Sequence, residues 1–144
     1  MKMMATLRTA SLTVTDTVIR AYADLSSDYN PIHLDPVFAA ATPMGGVIAH
    51  GTMSMGLLWQ ALFASFGADA FAHLELDVRF VRPVRGGETI TAGGELADAA
   101  AGTYAVWVRG DDGADRIAGT VTLAGMASMR ETRNPDHQEP SAGE

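Results

Sequence analysis

The sequence predicts an α+β domain in which a curled antiparallel sheet wraps one long buried helix. Three observations carry that expectation. From Thr52 to Phe66 only Thr52, Ser54, Gln60 and Ser65 are polar, and a helix apolar nearly all round must be buried on nearly all sides. Four segments between Leu74 and Leu123 alternate apolar and polar residues, the period of a sheet with one core face. The chain has 144 residues, one domain's worth, so helix and sheet must share a core.

The elements follow in order. Leu7, Leu12 and Val14, separated by Thr, Arg and Ser, predict an edge strand. Thr15 and Asp16 form a helix N-terminus, where a short side-chain oxygen accepts a bond from an orphan amide. Val18, Ile19, Tyr22 and Leu25 then extend an amphipathic helix over 16–26. Residues 26–35 read as a polar loop, with Pro31 pushing Asn30 out of the α region. Asp35 caps a short helix that opens on Pro36 and runs to Thr42. A second loop, Pro43 to Gly46, leads to Val47-Ile48-Ala49-His50-Gly51 and the apolar helix at 52–66. At about 1.5 Å per residue that helix is short for a bilayer of about 30 Å.

Leu74 to Phe80, Ile90 to Leu96, Tyr104 to Val108 and Ile117 to Leu123 are the alternating strands. Gly86-Gly87 and Asp112-Gly113 signal turns, and Gly93-Gly94 inside a strand predicts a bulge or bend. A single buried helix in a curled sheet is the hot-dog arrangement, expected here over residues 1–127. The polar, Pro-containing segment 128–144 reads as a mobile tail.

Composition narrows the function classes. The chain has no cysteine, which excludes disulfides, thiolate metal sites and a cysteine nucleophile. Ten basic against seventeen acidic residues give a net charge of −7, a poor match for nucleic acid or an anionic membrane. The residues after Met1 show no secretory signal and no apolar run spans a membrane, so the expectation is a soluble cytoplasmic protein.

The loop at 26–35 is dense in functional groups. Asp28 and His33 lie five residues apart, with Asn30-Pro31 stiffening the chain between them. A carboxylate beside an imidazole forms an acid/base pair able to move protons near neutral pH. Capping and turn formation explain the same residue types in such a loop at least as well, and for Asp35 capping is the better account. The second feature is His50-Gly51 at the mouth of the apolar helix. Free amides and the positive dipole end there suit an oxyanion, while Gly51 also reads as a simple tight turn and His50 as a backbone-bonded core residue. His73 and His137 lack any supporting context.

Ser27-Asp28-Tyr29-Asn30-Pro31-Ile32-His33-Leu34-Asp35-Pro36, followed by Phe38-Ala39-Ala40 and Gly46-Val47-Ile48-Ala49-His50-Gly51, resembles the MaoC-like (R)-specific enoyl-CoA hydratases. Val78-Arg79-Phe80 and Arg82-Pro83-Val84 extend the likeness, which covers roughly Leu12 to Leu123. The resemblance implies a hot-dog fold and the addition of water to trans-2-enoyl thioesters, or its removal from (3R)-3-hydroxyacyl thioesters. It implies Asp28 and His33 as the catalytic pair, the Gly51 amide as oxyanion donor, and Asn30 as a support for the loop. It implies no metal and no redox cofactor. Many members carry glycine where this chain has Ser27, and methionine is common where it has Thr52.

The expected partner is an acyl thioester, on coenzyme A or acyl carrier protein. Arg79, Arg82, Arg85 and Arg109 are candidates to meet its anionic carrier, and solvated strand ends explain each of them equally well. Arg82, Met53 and Trp59 are the candidate substrate contacts, although Met53 and Trp59 are more simply core. An incompletely covered sheet predicts a homodimer. A hot-dog thioesterase and a non-catalytic thioester-binding partner subunit are the competing readings; fold alone does not separate them.

Overall fold

The computed structural model describes residues 4–123. The chain runs β1 (Ala10–Thr13), α1 (Asp16–Ser26), α2 (Pro31–Leu34), α3 (Pro36–Ala40), α4 (Gly51–Phe66), a 3-10 turn (Ala68–His73), β2 (Leu74–Phe80), β3 (Thr89–Asp98), β4 (Thr103–Arg109) and β5 (Asp115–Leu123). The five strands form one antiparallel sheet in the order β1-β3-β4-β5-β2. The chain leaves β1 at one edge, passes through all four helices, and re-enters at the opposite edge as β2. The inward residues of β3, β4 and β5 (Ile90, Ala92, Tyr104, Val106, Val108, Ile117, Val121, Leu123) are buried with Leu57, Leu58, Ala61 and Leu62 of α4. This is the hot-dog fold. The segment expected to be a tail, 128–144, lies outside the described residues. No helix among the described residues is long and apolar enough to cross a membrane.

Local chemistry sets the element boundaries. Thr15 caps α1 by accepting the Val18 N–H at 3.2 Å. Asp35 Oδ1 accepts from both Val37 and Phe38, which starts α3. The expected loop at 26–35 instead contains the single helical turn α2. Asn30 accepts the Ile32 N–H and Pro31 takes the first helical position, so the residues that argued against helix before Pro31 start one after it. α3 ends at Ala40, two residues early, because Thr42 folds its own N–H and hydroxyl back onto the Ala39 carbonyl.

Two further expectations are corrected. The register runs unbroken through Gly93 and Gly94, and the irregularity falls between Leu96 and Asp98. Glycine is needed at 94 for close approach: a Cβ there would sit 2.6 Å from the Ala105 carbonyl oxygen and 2.8 Å from Leu7 Cδ1. α4, apolar on every side in sequence, leaves one face open. Trp59 is 37% exposed and Phe63 55%, and both pack on Phe71 of the 3-10 turn.

Two ion pairs centred on the buried Arg116 join two connections of the sheet. Arg116, on β5, reaches Glu88 at 2.8 Å and Asp112 at 3.1 Å, tying the β2–β3 connection to the β4–β5 turn. Glu88 also accepts the Arg85 N–H. Burial pushes the Glu88 carboxyl up, but the bonds from Arg116 and Arg85 and the Arg116 charge outweigh it, so the net shift is downward. A carboxyl lowered in the folded state adds stability that is full above its unfolded pKa. That stability is lost as pH falls through the folded value. Glu88→Gln should therefore cost about 1–2 kcal/mol at neutral pH, and the gap should close on acidification. Thermal melts of both proteins from pH 7 to pH 3 test this; a Tm difference that stayed constant would disprove the linkage.

Candidate active site

The site is built where the 26–35 segment crosses the entry to α4. The strand-like run 47–49 is stitched on both sides. Ile48 N–H donates to the Ile32 carbonyl, and Ala49 N–H to Val84 at 2.7 Å. That run points the Ile48 carbonyl at His33, whose Nδ1 lies 2.6 Å away. A carbonyl only accepts, so Nδ1 carries the hydrogen and the neutral ring presents Nε2 as a bare acceptor. His33 Nε2 stands 3.9 Å from Asp28 Oδ2. The gap is too long for a direct hydrogen bond and is bridged naturally by a water or a substrate hydroxyl.

Asp28 is held by its other oxygen. Oδ1 accepts the Asn30 N–H at 3.2 Å, and Asn30 Oδ1 in turn caps α2 through Ile32. The side chain of Asp28 is 52% exposed and that of His33 11%. The exposed carboxylate faces the shielded imidazole. Ser27, just before Asp28, takes φ 58° and ψ 25° at the end of α1. It is the one non-glycine residue with positive φ among the described residues, and it turns the chain so that Asp28 faces back toward α4.

Gly51 is the first residue of α4, so its amide has no intrahelical acceptor. A Cβ at Gly51 would lie 3.0 Å from the Phe80 ring. A cleft of about 280 Å³ opens beside it, lined among others by Ile48, Gly51, Ser54, Phe80, Arg82 and Arg116. The cleft is not lined by Asp28 or His33, and the 48–51 segment is the wall shared by cleft and pair.

The expected site residues thus separate. Asp28, Asn30, His33 and the Gly51 end of α4 come together, and Arg82 lines the adjoining cleft. Met53 does not reach it: its side chain is in the core. Ser54, one residue on, lines the cleft instead, a position three residues from Gly51 and so on the same helix face. Trp59 lies eight residues along α4, about 12 Å from Gly51 at 1.5 Å per residue, in a separate shallow apolar hollow with Phe63 and Phe71. Arg109 is engaged by Asp115 and by the Trp107 ring. His50 is the backbone-bonded buried residue it was read as, its Nε2 bonded to the Asp28 carbonyl, whereas the sequence pattern did not single out Arg116, which is buried and lines the cleft.

Asp28, His33 and His50 have potential ligand atoms within 4.8 Å of one another. The two imidazoles stack, with centroids 3.8 Å apart and planes 25° apart. Their in-plane lone pairs therefore run side by side instead of converging, and each ring commits one nitrogen to a backbone carbonyl. The donor set suits proton transfer on a bound water better than caging an ion.

Fold and site define a hot-dog protein whose Asp28–His33 loop packs against the N-terminus of its central helix. The MaoC like domain model matches residues 3–116, and the chain belongs to that family. It is 35% identical over 77 residues to a 3-hydroxybutyryl-CoA dehydratase of Methylorubrum extorquens, covering 54% of this chain and 49% of the relative. It is 36% identical over 74 residues to an (R)-specific enoyl-CoA hydratase of Aeromonas caviae, covering 51% and 55%. The chain spans about half the length of these curated relatives. The solved structure of an (R)-hydratase from A. caviae involved in PHA biosynthesis superposes with a TM-score of 0.68 at 25% identity, over 85% of this chain and 96% of that one.

Ser27 stands in the left-handed region that favours glycine. A side chain there costs about 1–2 kcal/mol, against about 0.5–1 kcal/mol of extra unfolded-state entropy for glycine. Ser27→Gly is expected to raise stability by about 0.5–1 kcal/mol in urea denaturation. A lower midpoint in that variant would show that the Ser27 backbone is unstrained.

Proposed function

We propose that the chain is a hydro-lyase that adds water to trans-2-enoyl thioesters to give (3R)-3-hydroxyacyl thioesters, or runs the reverse dehydration. The observation that carries this reading is the 3.9 Å gap between Asp28 Oδ2 and His33 Nε2, with the imidazole tautomer set by the Ile48 carbonyl. The thioester carbonyl accepts the Gly51 N–H, which draws electrons from the β-carbon. Water held between Asp28 and His33 gives a proton to the pair as its oxygen bonds to the β-carbon. The pair returns a proton to the α-carbon on the same face. Dehydration uses the same groups in the opposite order. Arg82, at the cleft beside Gly51, meets the anionic carrier, coenzyme A or the phosphopantetheine of an acyl carrier protein.

Asp28→Asn and His33→Ala should each lower turnover by about a hundredfold or more, the usual loss when general acid–base catalysis is removed. The double variant should fall far short of the product of the two, since groups acting as a unit are not additive. The assay follows enoyl absorbance and free thiol together. Thiol release without enoyl chemistry would identify a thioesterase, and near-normal hydration by folded Asp28→Asn would remove the mechanism. No change in either signal would leave a thioester-binding partner subunit.

A homodimer in the cytoplasm belongs to the same proposal. β2 is an edge strand, and the Trp59, Phe63 and Phe71 face of α4 is apolar and open, so a second copy has both backbone and side chains to cover. Light scattering at micromolar concentration should give twice the chain mass; a monomer mass would overturn it.

A further inference from the structure

Among the described histidines His50 is the buried one, at 2% exposure. It stands at the N-cap of α4 but caps no amide there, and its Nδ1 is buried without a hydrogen-bond partner among the described residues. An unpartnered buried nitrogen works against folding, so a core position alone would be better served by an apolar ring. What the imidazole adds is directed at the candidate pair. Its Nε2 lies 3.0 Å from the Asp28 carbonyl oxygen, and since that oxygen only accepts, Nε2 carries the hydrogen. Its face stacks on His33 at 3.8 Å. Tyr22 leans on the ring from another side at 4.9 Å and is itself anchored by a hydroxyl bond to Thr52.

We propose that His50 is a positioning residue for both members of the pair. One side chain ties the Asp28 backbone to the start of α4 and supports the His33 ring, so it sets the separation in which the water sits. The inference rests on the reading of Asp28 and His33 as an acid/base pair. The Ile48 carbonyl and His50 together lace the 28–33 segment to 48–50 at both of its ends. Without the His50 tie, Asp28 is restrained only by bonds inside its own loop.

Two variants separate tether from packing. His50→Phe keeps a ring for the stack and removes both the N–H and the unpartnered nitrogen. His50→Gln keeps an N–H of similar reach and removes the ring. The phenylalanine variant should melt no lower than wild type, yet show amide hydrogen exchange at Asn30, Ile32 and His33 about tenfold faster. Its kcat on an enoyl thioester should fall about tenfold or more with KM within twofold. The glutamine variant should recover the loop protection and part of kcat. Wild-type exchange or wild-type kcat in His50→Phe would overturn the proposal, as would a kcat loss matched by a loss of Tm in both variants. Wild-type protein that turned over no enoyl thioester would overturn the reaction, and the exchange rates would then decide the tether alone.

Discussion

The burial of α4 is the constraint on which the rest of the molecule depends. Its apolar residues cannot be satisfied by one flat surface, so the sheet has to curl round them. That curl brings Leu7 over β3 so closely that only glycine fits at 94. It also leaves the N-terminus of α4 at the rim, where free amides face outward. The helix therefore supplies core residues from Met53 to Leu62 and the electropositive part of the candidate site at its N-terminus. The open face around Trp59 and Phe63 shows that five strands do not complete the wrapping.

The site is made by the same side chains that terminate the local structure. Asp28 holds the Asn30 amide with one oxygen and faces His33 with the other. Asn30 caps the turn that carries His33. Capping therefore does not exclude chemistry at these residues. Each short polar side chain has two functional atoms, and the loop uses one to fix the geometry in which the second is presented. The bonds are few, and each is between near neighbours in sequence or to the stitched segment 47–50. The pair can therefore be placed accurately on a segment with little apolar burial of its own.

Periodicity made most of the fold legible. The four strands and α4 appear where alternation and continuous apolarity put them, because both patterns report burial directly. Less was legible where a residue's meaning depends on what it meets. Gly93-Gly94 looks like a bulge in one dimension and is a contact with Leu7 and Trp107 in three. Met53 and Trp59 were separable from Ser54 only by knowing which face of α4 the sheet covers. In the candidate site, Asp28, Asn30, His33 and Gly51 were singled out by the resemblance, since the residues alone fit caps and turns, whereas the Ile48 carbonyl beside His33 Nδ1 carries no side-chain signal at all. His50 was visible as a residue, but its two contacts join segments 22 and 17 positions apart, and no local pattern encodes them.

Electrostatics narrows the way an anionic carrier could approach a chain of net charge −7. Arg116 lines the cleft, but two carboxylates already neutralise it, and its role is to join two turns. Arg109 is paired with Asp115. Arg79 faces a different hollow, shared with Asp77 on the sheet. Arg85 donates to the Met44 carbonyl, a neutral acceptor, and no carboxylate pairs with its guanidinium among the described residues. Arg82 lines the cleft itself, next to Gly51 and Ser54. A negative group arriving at this cleft would meet a local field set by Arg82 and Arg85 instead of the net charge, because charges beyond about 10 Å are largely screened at ordinary ionic strength. An overall acidic protein is in that way compatible with an anionic ligand.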